Sequence, residues 1–254
     1  MTAIMGLLCN DGIVIGSDSA VTFNNSKFFT IEQECKKIDV FHKKVILAGT
    51  GDVGLCQRFA LIIEKYWLRE DLDAKHNIEI GKDLSRLAIQ DFNYTFKNPG
   101  TFGAIVAFPH NDNFHLCEFG LNDFQPEFKN SKIWYISMGI GQNISDPLLG
   151  IIRHFFMEEG IPNLQQGIFY LLWVLKHTIN LSPTGVKGPP QIAILSRLEN
   201  NNYEAKILKD EDLFEHHENI DGLEKHIREY KKFLEGTSIK EEIPEIPDFS
   251  KSIK

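Results

Sequence analysis

The sequence lacks the features that mark secreted and membrane-spanning proteins. Only four of its 254 residues are cysteines, and none stands in CxxC spacing. A disulfide framework or a zinc site is therefore not expected, and a reducing cytoplasm is the predicted location. No basic residue precedes the first apolar stretch, so we expect no signal peptide. The longest apolar run, GIFYLLWVL at 167–175, has about half the length that a membrane-spanning helix needs.

An excess of positive charge is also lacking. The 27 Lys and Arg residues are outnumbered by 35 Asp and Glu residues, which gives a formal net charge of −8. Nucleic acid and anionic membranes bind proteins largely through clustered Lys and Arg side chains. We therefore expect neither of them to be the main partner.

Motifs for cofactors, metals and serine nucleophiles are missing as well. The GTGD at 49–52 does not have the spacing of a phosphate-binding loop. Neither SDS at 17–19 nor SMGIG at 137–141 has the G-x-S-x-G form of a serine nucleophile elbow. The histidines of the acidic tail have no cysteine or carboxylate pattern typical of a metal site. No cofactor and no metal are predicted.

What the sequence does contain is the composition of a soluble globular protein. Hydrophobic residues make up 43% of the chain and charged residues 24%, which are ordinary values. A chain of this length can bury a substantial core as one large domain or two small ones.

Apolar runs and turn signals predict pairs of strands that alternate with pairs of helices. Short apolar runs at 3–9 and 13–17 flank an Asn-Asp-Gly turn, which predicts a hairpin. Apolar residues at helical spacing predict a first helix at 53–67. The further predicted strands are 36–41, 44–49, 101–108, 113–120, 132–139, 191–196 and 203–208, and the further predicted helices are 82–96, 146–159, 163–179 and 223–234.

This order of elements predicts an α+β fold with four layers, an αββα sandwich. Two antiparallel sheets would pack face to face, and helices would cover their outer faces, because the strands are apolar over most of their length. We expect this domain to occupy residues 1–208. The charged extension at 209–254 is predicted to be partly helical, with an extended or disordered end.

Four residues of the first 50 stand at a spacing that resembles a known family. Thr2 is the second residue, Asp18 and Ser19 follow the first hairpin, Lys37 begins the third strand, and Gly49 ends the fourth. The pattern is similar to the catalytic β-subunits of the proteasome and the related bacterial ring protease, which are N-terminal nucleophile (Ntn) hydrolases. The likeness extends over roughly the first 65 residues and, by order of elements, to about residue 208.

The resemblance implies a threonine-type peptidase whose nucleophile, Thr2, is exposed when Met1 is removed. A hydroxyl is a weak nucleophile without a base, and an N-terminal threonine carries one in its own α-amine. An unperturbed α-amine has a pKa of about 7.7–8.0, and a nearby ammonium such as Lys37 would keep more of it neutral. The resemblance implies that Asp18 holds Lys37 and that the Gly49 N–H stabilises the oxyanion.

The resemblance also implies partners. The substrate would be a peptide or an unfolded protein, and the chains would form a homo-oligomeric ring, with an ATP-dependent unfoldase as a further partner. Two other functions remain open. One is a scaffold subunit that keeps the fold without activity, and the other is an Ntn amidase that acts on small molecules.

Each of these residues also has an ordinary structural explanation. Asp18 and Ser19 are common turn formers, Lys37 would be a solvated lysine at a sheet edge, and Asp52 would cap a helix. The family pattern is also incomplete. Ala20 stands where the family often has Arg, Ile140 where it usually has Ser, and the loop at 182–190 lacks the usual Asp.

Overall fold

The computed structural model describes residues 2–22, 32–69, 72–95, 101–157, 160–183 and 185–236. Met1, Thr184 and the predicted extended end of the tail at 237–254 lie outside these residues. The chain divides into two compact units, Met1–Ile207 and Leu208–Lys254.

The first unit contains twelve strands and four α-helices among the described residues. The strands are β1 (Ala3–Leu8), β2 (Gly12–Ser17), β3 (Ala20–Thr22), β4 (Glu32–Glu34), β5 (Ile38–Phe41), β6 (Val45–Gly51), β7 (Phe102–His110), β8 (Asn113–Phe119), β9 (Pro126–Phe128), β10 (Tyr135–Gly139), β11 (Gln191–Arg197) and β12 (Tyr203–Ile207). The helices are α1 (Val53–Tyr66), α2 (Asn77–Tyr94), α3 (Gln142–Phe156) and α4 (Leu164–Leu181).

The strands form two five-stranded antiparallel sheets and one small hairpin. The first sheet has the order β10-β1-β2-β11-β12 and the second the order β5-β6-β7-β8-β9, while β3 pairs with β4. The predicted first hairpin is confirmed, since β1 and β2 pair with Ile4 opposite Ser17. The second is confirmed as well, because β5 and β6 pair with Ile38 opposite Ala48.

The two sheets pack face to face between helices, which confirms the predicted four-layer sandwich. One buried cluster joins inward side chains of both sheets and includes Ile4, Ile15, Ile38, Ile46, Ala48, Ile105 and Ala193. A second cluster joins α1 and α2 to the outer face of the second sheet. On the outer face of the first sheet, α4 packs against β1 and β2, and α3 against β10.

Helices α2 and α3 begin earlier in the chain than the sequence predicts. Helix α2 begins at Asn77 rather than at Lys82, because His76 and Glu79 form a capping box at its start. Helix α3 begins at Gln142 rather than at Asp146, and the Gly141 carbonyl accepts the first hydrogen bonds of its first turn. At α2 the cap, and not the apolar periodicity, sets the start.

The second unit contains helix α5 (Asp210–Leu234), which is about twice as long as the predicted helix at 223–234. Its first turn holds Asp210, Glu211 and Asp212, and its last turn holds Lys231 and Lys232. Acidic residues at a helix N-terminus and basic residues at its C-terminus stabilise the helix dipole. This charge order extends the helix through residues whose apolar pattern is weak.

Strands β3, β4 and β9 were not predicted, because each is only three residues long and has no apolar alternation of its own. None of the helices in the described part of the chain has the length and hydropathy needed to cross a membrane.

Candidate active site

Thr2 lies immediately before β1 and is half-buried. It lines a cavity of about 540 Å³ that Lys37 and Gly49 also line. The first residues of β1 belong to the first sheet, whereas Lys37 and Gly49 lie beside or within the second. The cavity therefore opens where the ends of the two sheets meet.

Asp18 and Lys37 form an ion pair next to Thr2. The Lys37 Nζ donates to Asp18 Oδ1 at 2.8 Å and to Thr2 Oγ1 at 3.4 Å. The side chain of Asp18 is fully buried, and that of Lys37 is 6% exposed. Lys37 is therefore not a solvated surface lysine, and its ammonium is held between a carboxylate and the threonine hydroxyl.

Backbone groups fix the Asp18 carboxylate from two directions. The Ala3 N–H donates to Oδ1 at 2.9 Å, and the Lys187 N–H donates to Oδ2 at 3.3 Å. A buried carboxylate is stabilised when its oxygens accept hydrogen bonds as well as pairing with a cation. The same carboxylate thus orients both the residue after Thr2 and the Lys37 ammonium.

A glycine turn after β10 holds the main chain of Thr2. The Gly141 N–H donates to the Thr2 carbonyl at 3.3 Å. Gly139 has a φ of +88°, and a Cβ there would stand 2.2 Å from the same carbonyl, so only glycine fits. Beneath the turn, the hydroxyls of Ser137 and Ser145 are buried and hydrogen-bonded to each other, and Ser145 also donates to the Gly141 carbonyl.

Gly49 lies in β6, opposite Ala104 of β7, on the cavity wall. A Cβ at this position would stand 2.5 Å from Cys56 Sγ and 2.9 Å from Phe102 Cε2. The close approach of α1 therefore requires glycine at position 49, independently of any catalytic role. The structural role of Asp52 is established, because its side chain accepts a hydrogen bond from the Leu55 N–H and caps α1.

Two thiols line the same cavity, Cys35 and Cys56. Burial raises the pKa of the Cys56 thiol to about 12. Burial also raises the pKa of Cys35, against the opposing effect of the Lys37 ammonium. Only the thiolate is a strong nucleophile, so neither cysteine is activated for attack near neutral pH.

The residues that depart from the family pattern lie at three different points around the site. The Ala20 N–H donates to the Lys187 carbonyl at 3.0 Å, so Ala20 ties the start of β3 to the loop before β11. Ile140 is 49% exposed at the glycine turn. In the loop at 182–190, Ser182 ends α4, and the backbone of Lys187 supplies the contact with Asp18.

Gln191 is a site residue that sequence reasoning missed. Its side-chain oxygen accepts from the Lys37 N–H at 2.9 Å, and its side-chain nitrogen donates to the Cys35 carbonyl at 2.8 Å. A glutamine at the start of a strand gives no signal of this role, because its partner lies 154 residues away in the sequence. Over the described ranges, no group of three or more His, Cys, Asp or Glu side chains is arranged to hold a metal ion.

Part of the chain is similar to proteasome subunits. A family model described as "Proteasome subunit" matches residues 2–123. The proteasome subunit beta of Nanoarchaeum equitans (strain Kin4-M) is 30% identical over 124 residues, which make up 48% of this chain and 58% of that protein. The chain thus spans less than two thirds of the length of this curated relative.

Solved structures share the fold over nearly the whole chain. Anbu, an ancestral β-subunit from Yersinia bercovieri, matches with a TM-score of 0.68 and 11% identity, covering 97% of this chain and all of that one. An Anbu Gly-1 mutant from Hyphomicrobium sp. strain MC1 matches with a TM-score of 0.68 and 12% identity, covering 92% of this chain and all of that one. At such identities the likeness concerns the fold.

Proposed function

We propose that this chain, a proteasome β-subunit-like protein with the Ntn hydrolase fold, is a threonine-type peptidase that uses Thr2 as its nucleophile. The observation that carries the proposal is the placement of the Lys37 ammonium. Its nitrogen lies 3.4 Å from Thr2 Oγ1 and 2.8 Å from a buried carboxylate. Burying two charges carries a large desolvation cost, so a buried ion pair is a poor way to gain stability alone. Here the ammonium of the pair also contacts the Thr2 hydroxyl.

The reaction begins after Met1 has been removed. The free α-amine of Thr2 takes the proton of Oγ1, and Oγ1 attacks the carbonyl carbon of the scissile amide. The C–N bond then breaks, the leaving amine carries away the proton, and an acyl ester remains on Thr2. A water molecule gives a proton to the α-amine and attacks the ester carbonyl carbon. The bond from that carbon to Oγ1 then breaks, and the ammonium returns the proton to Oγ1, which releases the acid and restores the free hydroxyl and the free amine.

Lys37, Asp18 and Gly49 have separate roles in this proposal. The Lys37 ammonium disfavours protonation of the nearby α-amine and so keeps it available as a base. Asp18 holds the ammonium in place. The Gly49 N–H donates to the oxyanion, and loss of one such donor typically costs about 10²–10³ in rate.

Thr2 is a better nucleophile in this cavity than either thiol. The raised pKa values of Cys35 and Cys56 leave little thiolate near pH 7. By contrast, the hydroxyl and the base of an N-terminal threonine belong to the same residue and need no ionisation of the side chain before attack. The cysteines are therefore assigned to the cavity wall.

The proposed substrate is a peptide or an unfolded protein, and the proposed assembly is a homo-oligomeric ring in the cytoplasm that works with an ATP-dependent unfoldase. The likeness to proteasome subunits supports this assignment. The same likeness fits a scaffold subunit or an Ntn amidase for small molecules, so the experiment has to separate the three.

The test combines the intact mass of the purified protein with covalent labelling. We expect the mass to lack one methionine, and a β-lactone or epoxyketone inhibitor to add its mass to the peptide that begins with Thr2. A panel of fluorogenic peptides measures hydrolysis. Thr2→Ala should abolish both labelling and hydrolysis, because it removes the hydroxyl but leaves the amine.

Thr2→Ser is the matched control, since it keeps the hydroxyl and the amine and should retain labelling at a reduced rate. Retention of Met1 in the purified protein, or an exposed Thr2 that no inhibitor labels, would favour the scaffold. Labelling without hydrolysis of any peptide, together with hydrolysis of small amides, would favour the amidase.

A further inference from the structure

The backbone that carries Lys37 lies outside the sheet ladders. Pairing of β5 with β6 begins at Ile38, which is opposite Ala48. Residues 35–37 therefore precede the regular hydrogen bonds of the second sheet. Because the long side chain of Lys37 extends from this segment to Thr2, any shift of the segment moves the ammonium relative to the threonine hydroxyl.

The side chain of Gln191 takes the place of a neighbouring strand for this segment. Its amide accepts from the Lys37 N–H at 2.9 Å and donates to the Cys35 carbonyl at 2.8 Å. An amide offers one acceptor and one donor side by side, which matches two outward-facing backbone groups of an extended segment. A third bond, from the Cys35 N–H to the Ser19 carbonyl at 2.8 Å, also holds this segment.

Gln191 is itself fixed next to the carboxylate of the site. It is the first residue of β11 and lies opposite Ser17 in the ladder with β2, one residue before Asp18. The first sheet thus holds both ends of the ion pair. Asp18 follows the end of β2 in this sheet. Gln191, in β11 of the same sheet, binds the backbone of Lys37, which immediately precedes β5 of the second sheet.

We infer that Gln191 is a positioning residue that sets the distance between the Lys37 ammonium and Thr2. This inference rests on the proposed function, because it concerns how that site is held. A displacement of about 1 Å in a catalytic group can reduce a rate by about 10². Gln191 does not touch the reacting atoms and acts through Lys37.

The experiment compares Gln191→Met, which removes both hydrogen bonds at similar volume, with Gln125→Met as the matched control. Gln125 is exposed, and its side-chain amide donates to the Asp123 carbonyl within its own turn. For Gln191→Met we expect the rate constant of Thr2 acylation to fall about 10- to 100-fold, with KM changed less than about threefold. The control should match the unaltered protein.

The pH profile distinguishes positioning from a general loss of structure. If Lys37 moves away from the α-amine, the amine regains a higher pKa, because a nearby ammonium no longer disfavours its protonation. The acid limb of the acylation rate should then shift to higher pH in Gln191→Met. A merely structural role would lower the amount of active protein and leave the limb where it is.

Gln191→Leu provides a second test if Gln191→Met does not fold. It also removes both hydrogen bonds, and it adds no charge near the α-amine. The acid limb should again move to higher pH. If the unaltered protein is labelled and both variants keep its rate and its pH profile, the role of Gln191 is refuted while the proposed function stands. If the unaltered protein with a free Thr2 is not labelled, both the proposed function and the role of Gln191 are refuted.

Discussion

Thr2 is held by three separate parts of the chain. Gly141 binds its carbonyl, Asp18 binds the N–H of the following residue, and Lys37 approaches its hydroxyl. Each contact comes from a different segment of the chain, and Thr2 lines the cavity. A threonine that only began a strand would not need this degree of support, so the arrangement favours a chemical role.

At the residue scale, we predict strong coupling between Asp18 and Lys37. Lys37→Met should lower the free energy of unfolding by about 3–5 kcal/mol, because it leaves a buried carboxylate without its cation. The double variant Asp18→Asn/Lys37→Met removes both charges and should recover part of this loss, although it remains inactive. Urea unfolding of the two single variants and the double variant gives the coupling energy.

The matched control for this cycle is the pair Lys36 and Asp39. Their charged atoms lie 3.4 Å apart, but the side chains are 58% and 42% exposed. Exposed ion pairs contribute little, so the coupling between Lys36→Met and Asp39→Asn should stay below about 0.5 kcal/mol. Strict additivity at Asp18 and Lys37 would show that the two charges do not stabilise each other.

Other residues supply part of the support that the missing family residues would give. Ile140 supplies no hydroxyl, but the buried hydroxyls of Ser137 and Ser145 support the same turn from below. The loop before β11 lacks the usual Asp, but the Lys187 N–H reaches Asp18. These contacts support the main chain of the site, and the sequence pattern alone did not reveal them.

At the element scale, one polar cluster joins α1 to the start of α2. Asp83 of α2 accepts hydrogen bonds from Lys75 at 2.6 Å, from the Tyr66 hydroxyl at 3.0 Å and from Arg86 at 3.0 Å. The Lys75 ammonium is the main cause that lowers the pKa of the Asp83 carboxyl. Burial, helped by Asp83, raises the pKa of Tyr66 to about 12.

We predict that this cluster makes stability depend on pH. Because the pKa of Asp83 is lower in the folded state, its contribution is present above the unfolded pKa of about 3.9 and is lost as the pH falls through the folded value. Asp83→Asn should therefore cost about 1 kcal/mol at pH 7 and progressively less below pH about 4. Urea unfolding at several pH values measures the difference.

Arg86→Met is the control for this prediction. Arg86 also contacts Asp83, but its side chain is 60% exposed, so its loss should change stability by less than about 0.5 kcal/mol. An Asp83→Asn cost that is the same at pH 3 and pH 7 would mean that the side chain acts through its shape rather than its charge.

At the scale of the whole molecule, we predict that assembly does not depend on the nucleophile. Ile151 and Phe155 lie one turn apart on α3 and are 49% and 69% exposed, and such apolar surface often marks a protein contact. Thr2 faces a cavity instead. Native mass spectrometry should give the same oligomer for the unaltered protein and for Thr2→Ala.

One outcome would contradict the proposed ring, and another would contradict this prediction. A monomer in both samples would contradict the proposed ring. Loss of the oligomer in Thr2→Ala alone would show that Thr2 is a structural residue, and it would remove the basis of the proposed function.

The main elements were predictable because their signals are local. The apolar runs around Asn10 and Asp11 predicted the first hairpin, and the spacing of Leu55, Phe59 and Ile63 predicted α1. The start of α2 and the short strand β9 were not predicted. The start of α2 depends on a cap at His76. Strand β9 has no apolar alternation of its own and depends on pairing with β8.

The sequence by itself determined the order of the main elements and the presence of Thr2, Asp18, Lys37 and Gly49 at a family-like spacing. Local propensity and periodicity are enough for this. Only the tertiary structure decided that Lys37 is buried against Asp18 and that Gln191 holds its backbone. These contacts join residues far apart in the chain, and they form only because the two sheets pack face to face and bring the ends of β2, β5 and β11 together.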